Sequence, residues 1–458
     1  MEQPKENKMG TMPVNKLLVT MSLPMVISMI VQALYNIVDS IFVSRLSEDA
    51  LTAVSMAFPM QNLMISVAVG TGVGINAMLS RALGEKKFEA ANKTAENGIF
   101  IEVLGYVLFL LIGIFVTKPF FLAQAGAGDI ANMGIEYTRI CLLMSFGIFM
   151  QIGFERILQS TGRTIFTMIT QSTGAIINII LDPILIFGLF GMPKMGVAGA
   201  GWATVIAQFI SGILCFVYSL KKFPILRLTK HDWKFSWKFA WQHLEVGLPM
   251  AFQFSITAIG TMVIQSALNS LGSTAVAAFT AGSKIDQFAT QPLASLGVAV
   301  ATYTAQNYGA RELERIKKGV TGAAIIATVC GIVGGFVVIT FAKPLVALFV
   351  GSGQNEVMSL SKEYLVLNGV FYVILGLLFV YRNALQGIGS SMIAFFGGVW
   401  ELVMRSIVAF VLVSYLKFAA VCIASPVAWF GATIWLMIAY FIIINRIIKK
   451  ANFAKINY

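Results

Sequence analysis

Charge is what this sequence has least of. Only 12% of its 458 residues are Asp, Glu, Lys or Arg, against 57% hydrophobic, whereas soluble domains carry about 25% charged residues. With a mean hydropathy of +0.81, that deficit excludes a soluble enzyme, a secreted disulfide scaffold and a nucleic-acid-binding domain. The four cysteines (Cys141, Cys215, Cys330, Cys422) lie far apart in apolar segments, without metal or disulfide spacing. Histidine is nearly absent: His231 and His243 both sit near a basic loop. No paired acids, Ser/Lys set or metal cluster suited to catalysis is visible. The dipeptide Gly-Lys never occurs, so no P-loop exists, which argues against ATP hydrolysis in this chain. The chain reads as a non-enzyme driven by an ion gradient or by a partner protein.

What is present is long apolar runs. A bilayer is crossed by about 20 apolar residues, and the sequence offers twelve such spans: 17–44, 51–80, 95–117, 135–160, 164–190, 196–220, 239–269, 275–306, 319–341, 360–387, 391–416 and 419–447. Pro24, Pro59, Pro183, Pro249 and Pro292 fall inside spans, where each removes a helical hydrogen bond. The fold class is therefore an all-α polytopic membrane protein.

The net charge of +12 follows from topology. Lys and Arg crowd the N-terminal tail, the segments 81–93, 221–238 and 311–318, Arg163 and the C-terminal tail. The alternate loops hold only Arg45, Lys118, Lys194, Lys343 and Lys417. The positive-inside rule puts the first set, with both termini, in the cytoplasm. The expected location is the inner (plasma) membrane, with the bilayer rather than nucleic acid as the partner of the basic loops.

The two halves repeat. Leu23-Pro24-Met25 returns as Leu248-Pro249-Met250, Gly84 as Gly309, Glu89 as Glu314, Lys93 as Lys318 and Lys118-Pro119 as Lys343-Pro344. With a slightly larger offset, Glu136-Tyr137 returns as Glu363-Tyr364 and Leu158-Gln159 as Leu385-Gln386. Each half has an even number of spans, so the repeat is parallel, with a pseudo-twofold along the membrane normal. The expected organisation is a tail 1–16, an N-lobe 17–220, a linker 221–238, a C-lobe 239–448 and a tail 449–458. Two facing six-helix bundles suit alternating access.

Ionisable groups inside spans mark functional candidates. Gln32, Tyr35, Asn36 and Asp39 share one face of the first span, with Asp39 about 9 Å from its outer end. In the fifth span Asn178 and Asp182 form an i, i+4 pair, with Asp182 about 12 Å from the outer end. Both aspartates thus fall in one layer. Two carboxylates in a poorly hydrated site cannot both ionise cheaply, so the pair would take up a proton. The same oxygens with Asn178 suit a hard cation such as Na⁺. The alternatives are a helix-end aspartate at 39 and a helix break at Asp182-Pro183.

The second half differs. Arg405 stands opposite Asn178 in the repeat, and Glu401 and Arg405 can neutralise each other at i, i+4. Asp286 does not face Lys284 and is a candidate for a cationic substrate, with a paired structural charge as the alternative. Arg382 and Glu155 read as snorkelling side chains near span ends and Glu245 as interfacial, while Glu102 has no evident partner. The stripe Met56, Met60, Met64 reads as packing.

These residues together resemble the multidrug and toxic compound extrusion (MATE) family, over about 16–448. The resemblance is carried by Leu23-Pro24-Met25, the Asn36–Ser44 segment, Gly72–Gly84, Asn178–Pro183 and Gln306-Asn307-Tyr308-Gly309-Ala310. It is nearest the prokaryotic branch with N-lobe aspartates. It implies twelve helices in two lobes and export of organic cations by exchange for H⁺ or Na⁺, with no other cofactor. It also implies a coupling site at Asp39, Asn178 and Asp182, with Thr204 as the sixth-span threonine. Na⁺ would be held at Asp39, Asn178 and Asp182. Gln32, Tyr35, Asn36 and Asp286 are the substrate candidates. No acid lies at mid-depth in spans 7 or 10, which favours the N-lobe over a C-lobe sodium site. The expected protein is a monomeric multidrug antiporter acting on small-molecule organic cations. A lipid-linked oligosaccharide flippase of the same superfamily is the alternative, and a channel or scaffold subunit a third reading.

Overall fold

The computed structural model describes residues 8–222, 235–350 and 354–456. The start of the N-terminal tail, most of the linker 221–238 with His231, and the end of the C-terminal tail lie outside the described residues. Among the described residues there are helices and short connections, and no strand.

Each expected span coincides with a long helix or a bent pair. They are α1 (Val14–Ser44), α2 (Glu48–Gly84), α3 (Phe88–Phe115), α4 (Asp129–Leu143 bent into Phe146–Ser160), α5 (Thr164–Phe187) and α6 (Val197–Lys222). The second half supplies α7 (Trp237–Asn269), α8 (Ser273–Gly309), α9 (Leu313–Thr340), α10 (Asn355–Gly369 bent into Tyr372–Ile388), α11 (Ser391–Ile407, continued by Val408–Leu412 and Val413–Leu416) and α12 (Phe418–Ile456). Among the described residues, nine helices are long and apolar enough to cross a membrane, and the bent pairs bring the spans to 11. The twelfth, α8, is more polar. It nevertheless has the same 37-residue length as α2, its repeat counterpart.

All five expected prolines lie within helices, and Pro426 in α12 joins them. At Pro183 the helix does not break: α5 runs on to Phe187. Its packing outweighs the one hydrogen bond lost at the carbonyl of Ile179.

The repeat is written into the backbone. The third helix of each half has 28 residues, and each is followed by a short helix of 9. The bends in α4 and α10 are 43° and 49°. Lys86 (φ 56°) and Arg311 (φ 60°) take the same left-handed conformation, which costs a non-glycine residue about 1–2 kcal/mol. The return is a closed helix end: Lys87 N–H reaches Ala82 O at 3.0 Å, and Glu312 N–H reaches Asn307 O at 2.9 Å. The start of α2 is fixed by Ser47, whose extended backbone lets its hydroxyl accept from Ala50 N–H at 3.0 Å; Glu48 and Asp49 then sit on the favourable end of the helix dipole.

The chain forms two compact units, Ile27–Ala251 and Met1–Val26 with Phe252–Tyr458. The division runs within α1 and α7, two residues after Pro24 and two residues after Pro249. The first unit has two buried apolar clusters, one holding Met60, Met64, Phe109 and Phe149 and one holding Val43, Phe121 and Ile186. The methionine stripe is thus packing, with Met56 against the second cluster. The second unit has one cluster, in which Leu18, Met21 and Met25 join Tyr303, Tyr372 and Tyr440. There Arg315 ties down the chain before α1, donating to Met9 O at 3.0 Å and Met12 O at 2.6 Å.

Candidate cation-coupling site

The site is built on the contact of α5 with α6. Thr170, Gly174, Asn178 and Asp182 recur every four residues and so line one face of α5. That face is small and polar, and α6 approaches it closely. A Cβ on Gly174 would lie 2.1 Å from Ser211 Oγ, and one on Gly199 would lie 2.5 Å from Leu185 O. Ser211 donates to Thr170 O at 2.8 Å. One turn-pair further along, Asn178 Nδ2 donates to Thr204 Oγ1 at 3.4 Å. The glycines therefore let the two helix backbones come near enough for their polar side chains to meet.

Asp182 is fully buried and Asn178 is 2% exposed. Among the described residues neither oxygen of Asp182 has a donor, nor do Asp39 Oδ1 and Asn178 Oδ1, and all four atoms are shielded from solvent. The carboxyl groups of Asp39, from α1, and Asp182 face each other at hydrogen-bonding range. Buried oxygen without a donor costs roughly 1–3 kcal/mol per group, and more when charged. A pair of carboxyls in contact, with an amide oxygen beside them, is a receptor for something positive.

Tyr35 lies within electrostatic reach of both aspartates and is hydrogen-bonded to Gln32. Asn36 stands on an exposed part of α1, where its carbonyl accepts from Ser40 Oγ at 2.9 Å. The sequence reading missed a second tyrosine. Tyr137, in α4, lies within electrostatic reach of Asp39 and accepts from Gln61 Nε2 at 3.2 Å; Cys141, one turn on, contacts the same amide at 3.5 Å. The signal for Tyr137 was its place in the repeated Glu-Tyr pair.

Asp286 belongs to the other unit. It is paired rather than free: Tyr372 OH donates to its Oδ1 at 2.7 Å. Tyr364, the repeat counterpart of Tyr137, lies within electrostatic reach of both Asp286 and Arg405. Position 286 is the repeat counterpart of Gln61, so an acid here occupies the place of an amide there.

Three other readings are corrected. Arg382 does not snorkel: it is 7% exposed and ion-paired with Glu401 from the next helix. Glu155 is likewise buried, accepting from Gln159 at 2.7 Å and Gln171 at 2.6 Å. These side chains found partners across helices, so they had no need of the interface. Glu102 has a partner too, accepting from Thr71 Oγ1 at 2.8 Å. Glu401 and Arg405 do approach, at 3.9 Å. His243 is 2% exposed, its Nδ1 at 2.9 Å from Phe239 O. Among the described residues no group of three His, Cys, Asp or Glu could hold a metal ion.

The MatE family model matches residues 24–184 and 249–411, one block in each half. The chain is 26% identical over 428 residues to the "probable multidrug resistance protein YoeA" of Bacillus subtilis, covering 91% of each chain. It is 24% identical over 413 residues to the "FAD transporter" of Shewanella oneidensis, covering 88% of this chain and 89% of that one. Among solved structures it resembles a MATE crystallised in complex with MaL6, with a TM-score of 0.92 and 26% identity over 98% of this chain and 100% of that one. The chain belongs to the MatE family, whose members are membrane transporters and not enzymes.

Proposed function

We propose that this MatE-family chain is a secondary active multidrug exporter that moves amphipathic organic cations out of the cell in exchange for H⁺ or Na⁺. The observation that carries the reading is the pair Asp39 and Asp182, buried acceptors without donors beside Asn178 and Thr204. A cation that neutralises the pair removes the penalty of buried unpaired charge. An organic cation drawn to the same negative field competes with it, directly or through α1. That opposition is a coupling free energy between two ligands, which exchange requires.

The contact between the two carboxyls supports H⁺ as the coupling ion. Two carboxyls at hydrogen-bonding range, with no donor on Asp182, are satisfied by one shared proton. Na⁺ would need the same oxygens with Asn178 Oδ1, and fewer protein ligands than hard cations usually take. Tyr35 and Gln32, on the face of α1 that carries Asp39, and Asp286 in the other unit are the substrate candidates of this reading. The Lys/Arg distribution supports an inner-membrane protein with both termini cytoplasmic. The relatives' names span drugs and a flavin dinucleotide, so the choice of organic cations rests on this chain's own buried acids.

The test is reconstitution in liposomes with ethidium, imposing a pH gradient and a sodium gradient separately on wild type and Asp39→Asn. Dye movement driven by one gradient and lost in the folded variant supports the exchanger and names its ion. Full export retained in Asp39→Asn contradicts it. No movement of dye under either gradient, in folded wild type, would favour a lipid-linked substrate and a flippase.

A further inference from the structure

In the second unit, α11 carries two charges at positions whose repeat counterparts are uncharged, and their surroundings do not balance. Arg382 and Arg405 are 7% and 5% exposed, and both reach the single carboxylate of Glu401, itself 5% exposed. Two guanidiniums share one carboxylate, so the triad carries an excess positive charge. A guanidinium has five donors. Arg405 has only its 3.9 Å contact with Glu401 as an ion pair, and no hydrogen bond among the described residues. The Nε atoms of both arginines are shielded and lack a partner among the described residues. Asp286, within electrostatic reach of the same Tyr364 as Arg405, makes no ion pair with either arginine among the described residues; its Oδ1 is taken by Tyr372.

The backbone makes room for this charge. A Cβ on Gly260 of α7 would lie 2.7 Å from Arg405 Nη1, so a glycine is what admits the guanidinium there. Three residues past Arg405 the helix widens into the π turn Val408–Leu412, a distortion that recurs at functional sites. An uncompensated buried charge with unmade donors is among the costliest features a fold can keep, and it is relieved by an anion. Planar guanidiniums favour the forked geometry of a carboxylate.

We propose that Arg405 and Arg382, held in place by Glu401, form an anion-binding site within the second unit that takes a carboxylate group or a small inorganic anion. With a carboxylate-bearing substrate, the site would select dipolar molecules over simple cations. With an inorganic anion, it would make the unit's stability depend on that anion. The proposal does not rest on the exchange mechanism, because its readouts are binding and stability.

The test uses the purified full chain and two dyes that differ at one group: rhodamine 110, with a free carboxylate, and its methyl ester, rhodamine 123. Binding is followed by fluorescence anisotropy in methanesulfonate, which is neither a carboxylate nor a small inorganic anion. Arg405→Gln should weaken rhodamine 110 by about tenfold, as for a lost charge-assisted hydrogen bond, and leave rhodamine 123 unchanged. Gly260→Ala, which keeps every charge but displaces the guanidinium, should act in the same direction and covers the case in which Arg405→Gln does not fold. In a second arm, chloride replaces methanesulfonate and the unfolding temperature is recorded. A rise in wild type that is absent in Gly260→Ala, with no discrimination between the dyes, identifies an inorganic anion as the occupant. Equal binding of both dyes by wild type and Gly260→Ala, together with no effect of chloride, overturns the proposal and leaves the triad as an internal brace.

Discussion

The two units share a backbone plan and differ in where they put charge. In Ile27–Ala251 the acids Asp39 and Asp182 meet with no basic partner among the described residues, beside the amide of Asn178. In the other unit the counterpart of Asn178 is Arg405, bound to Glu401 and sharing it with Arg382. The counterpart of Gln61 is Asp286, held by Tyr372. One unit therefore keeps unmet negative charge, and the other pairs its acids and keeps an excess of positive charge. Unmet charge can be answered by a mobile ion; paired charge mostly holds helices together. The comparison teaches that the duplicated fold supplies positions, and that substitution at a few of them decides which charge each unit keeps unmet.

The sharpest way to break the contrast is to make the first unit resemble the second. Asn178→Arg brings a guanidinium to the acid pair, and gradient-driven ethidium export in proteoliposomes should fall at least about tenfold while thermal stability is kept or raised. Retained export would show that the acids need not be unpaired. The reverse intervention is Glu401→Gln, which leaves two buried guanidiniums unanswered and should cost about 3–5 kcal/mol in unfolding free energy. Asp182→Asn, in contrast, should not destabilise the protein. Equal losses in the two variants would erase the difference between the units.

The tyrosines sharpen the comparison at smaller scale. Tyr372→Phe removes a hydrogen bond to a carboxylate and should cost about 1.5–3 kcal/mol, whereas Tyr137→Phe loses a bond from an amide and should cost about 0.5–1.5 kcal/mol. Thermal unfolding of the two variants checks the order. The smallest effect belongs to the α2–α3 link. There Lys87, at 2.7 Å, and Arg81 hold Glu85 below the usual carboxylate range. A lowered value in the fold contributes stability above the unfolded carboxyl value, and that stability is lost as pH falls through the folded one. Glu85 is partly exposed and both its partners are exposed, so Glu85→Gln should flatten the acid limb of stability only slightly, and less at high salt.

Much of this was legible before the fold was known. The twelve spans followed from length and hydropathy, because a membrane span must satisfy its backbone within itself. The repeat followed from a nearly constant offset between punctuating residues such as Pro24 and Pro249. Asp39, Asn178 and Asp182 stood out as polar side chains in apolar runs. What stayed hidden was side-chain pairing between helices. The partner of Arg382 is on the next helix, that of Asp286 is 86 residues away, and that of Glu102 is 31 residues away. Periodicity orders residues around one helix but does not say which face meets which. Snorkelling was therefore inferred for Arg382 and Glu155 where interhelical partners exist. Gly174 and Gly199 gave no sign of their role, since close approach is a property of two helices.

The most direct test follows ions released when substrate binds. Purified protein in weakly buffered detergent solution is mixed with ethidium, and proton release is read with a pH indicator; displacement of ²²Na⁺ is read in a parallel sample. The expected result is release of one of the two ions on binding, lost in Asp182→Asn while the variant remains folded. Unchanged release from Asp182→Asn, or ethidium binding to wild type with no release of either ion, would contradict the assignment of exchange to the Asp39–Asp182 pair.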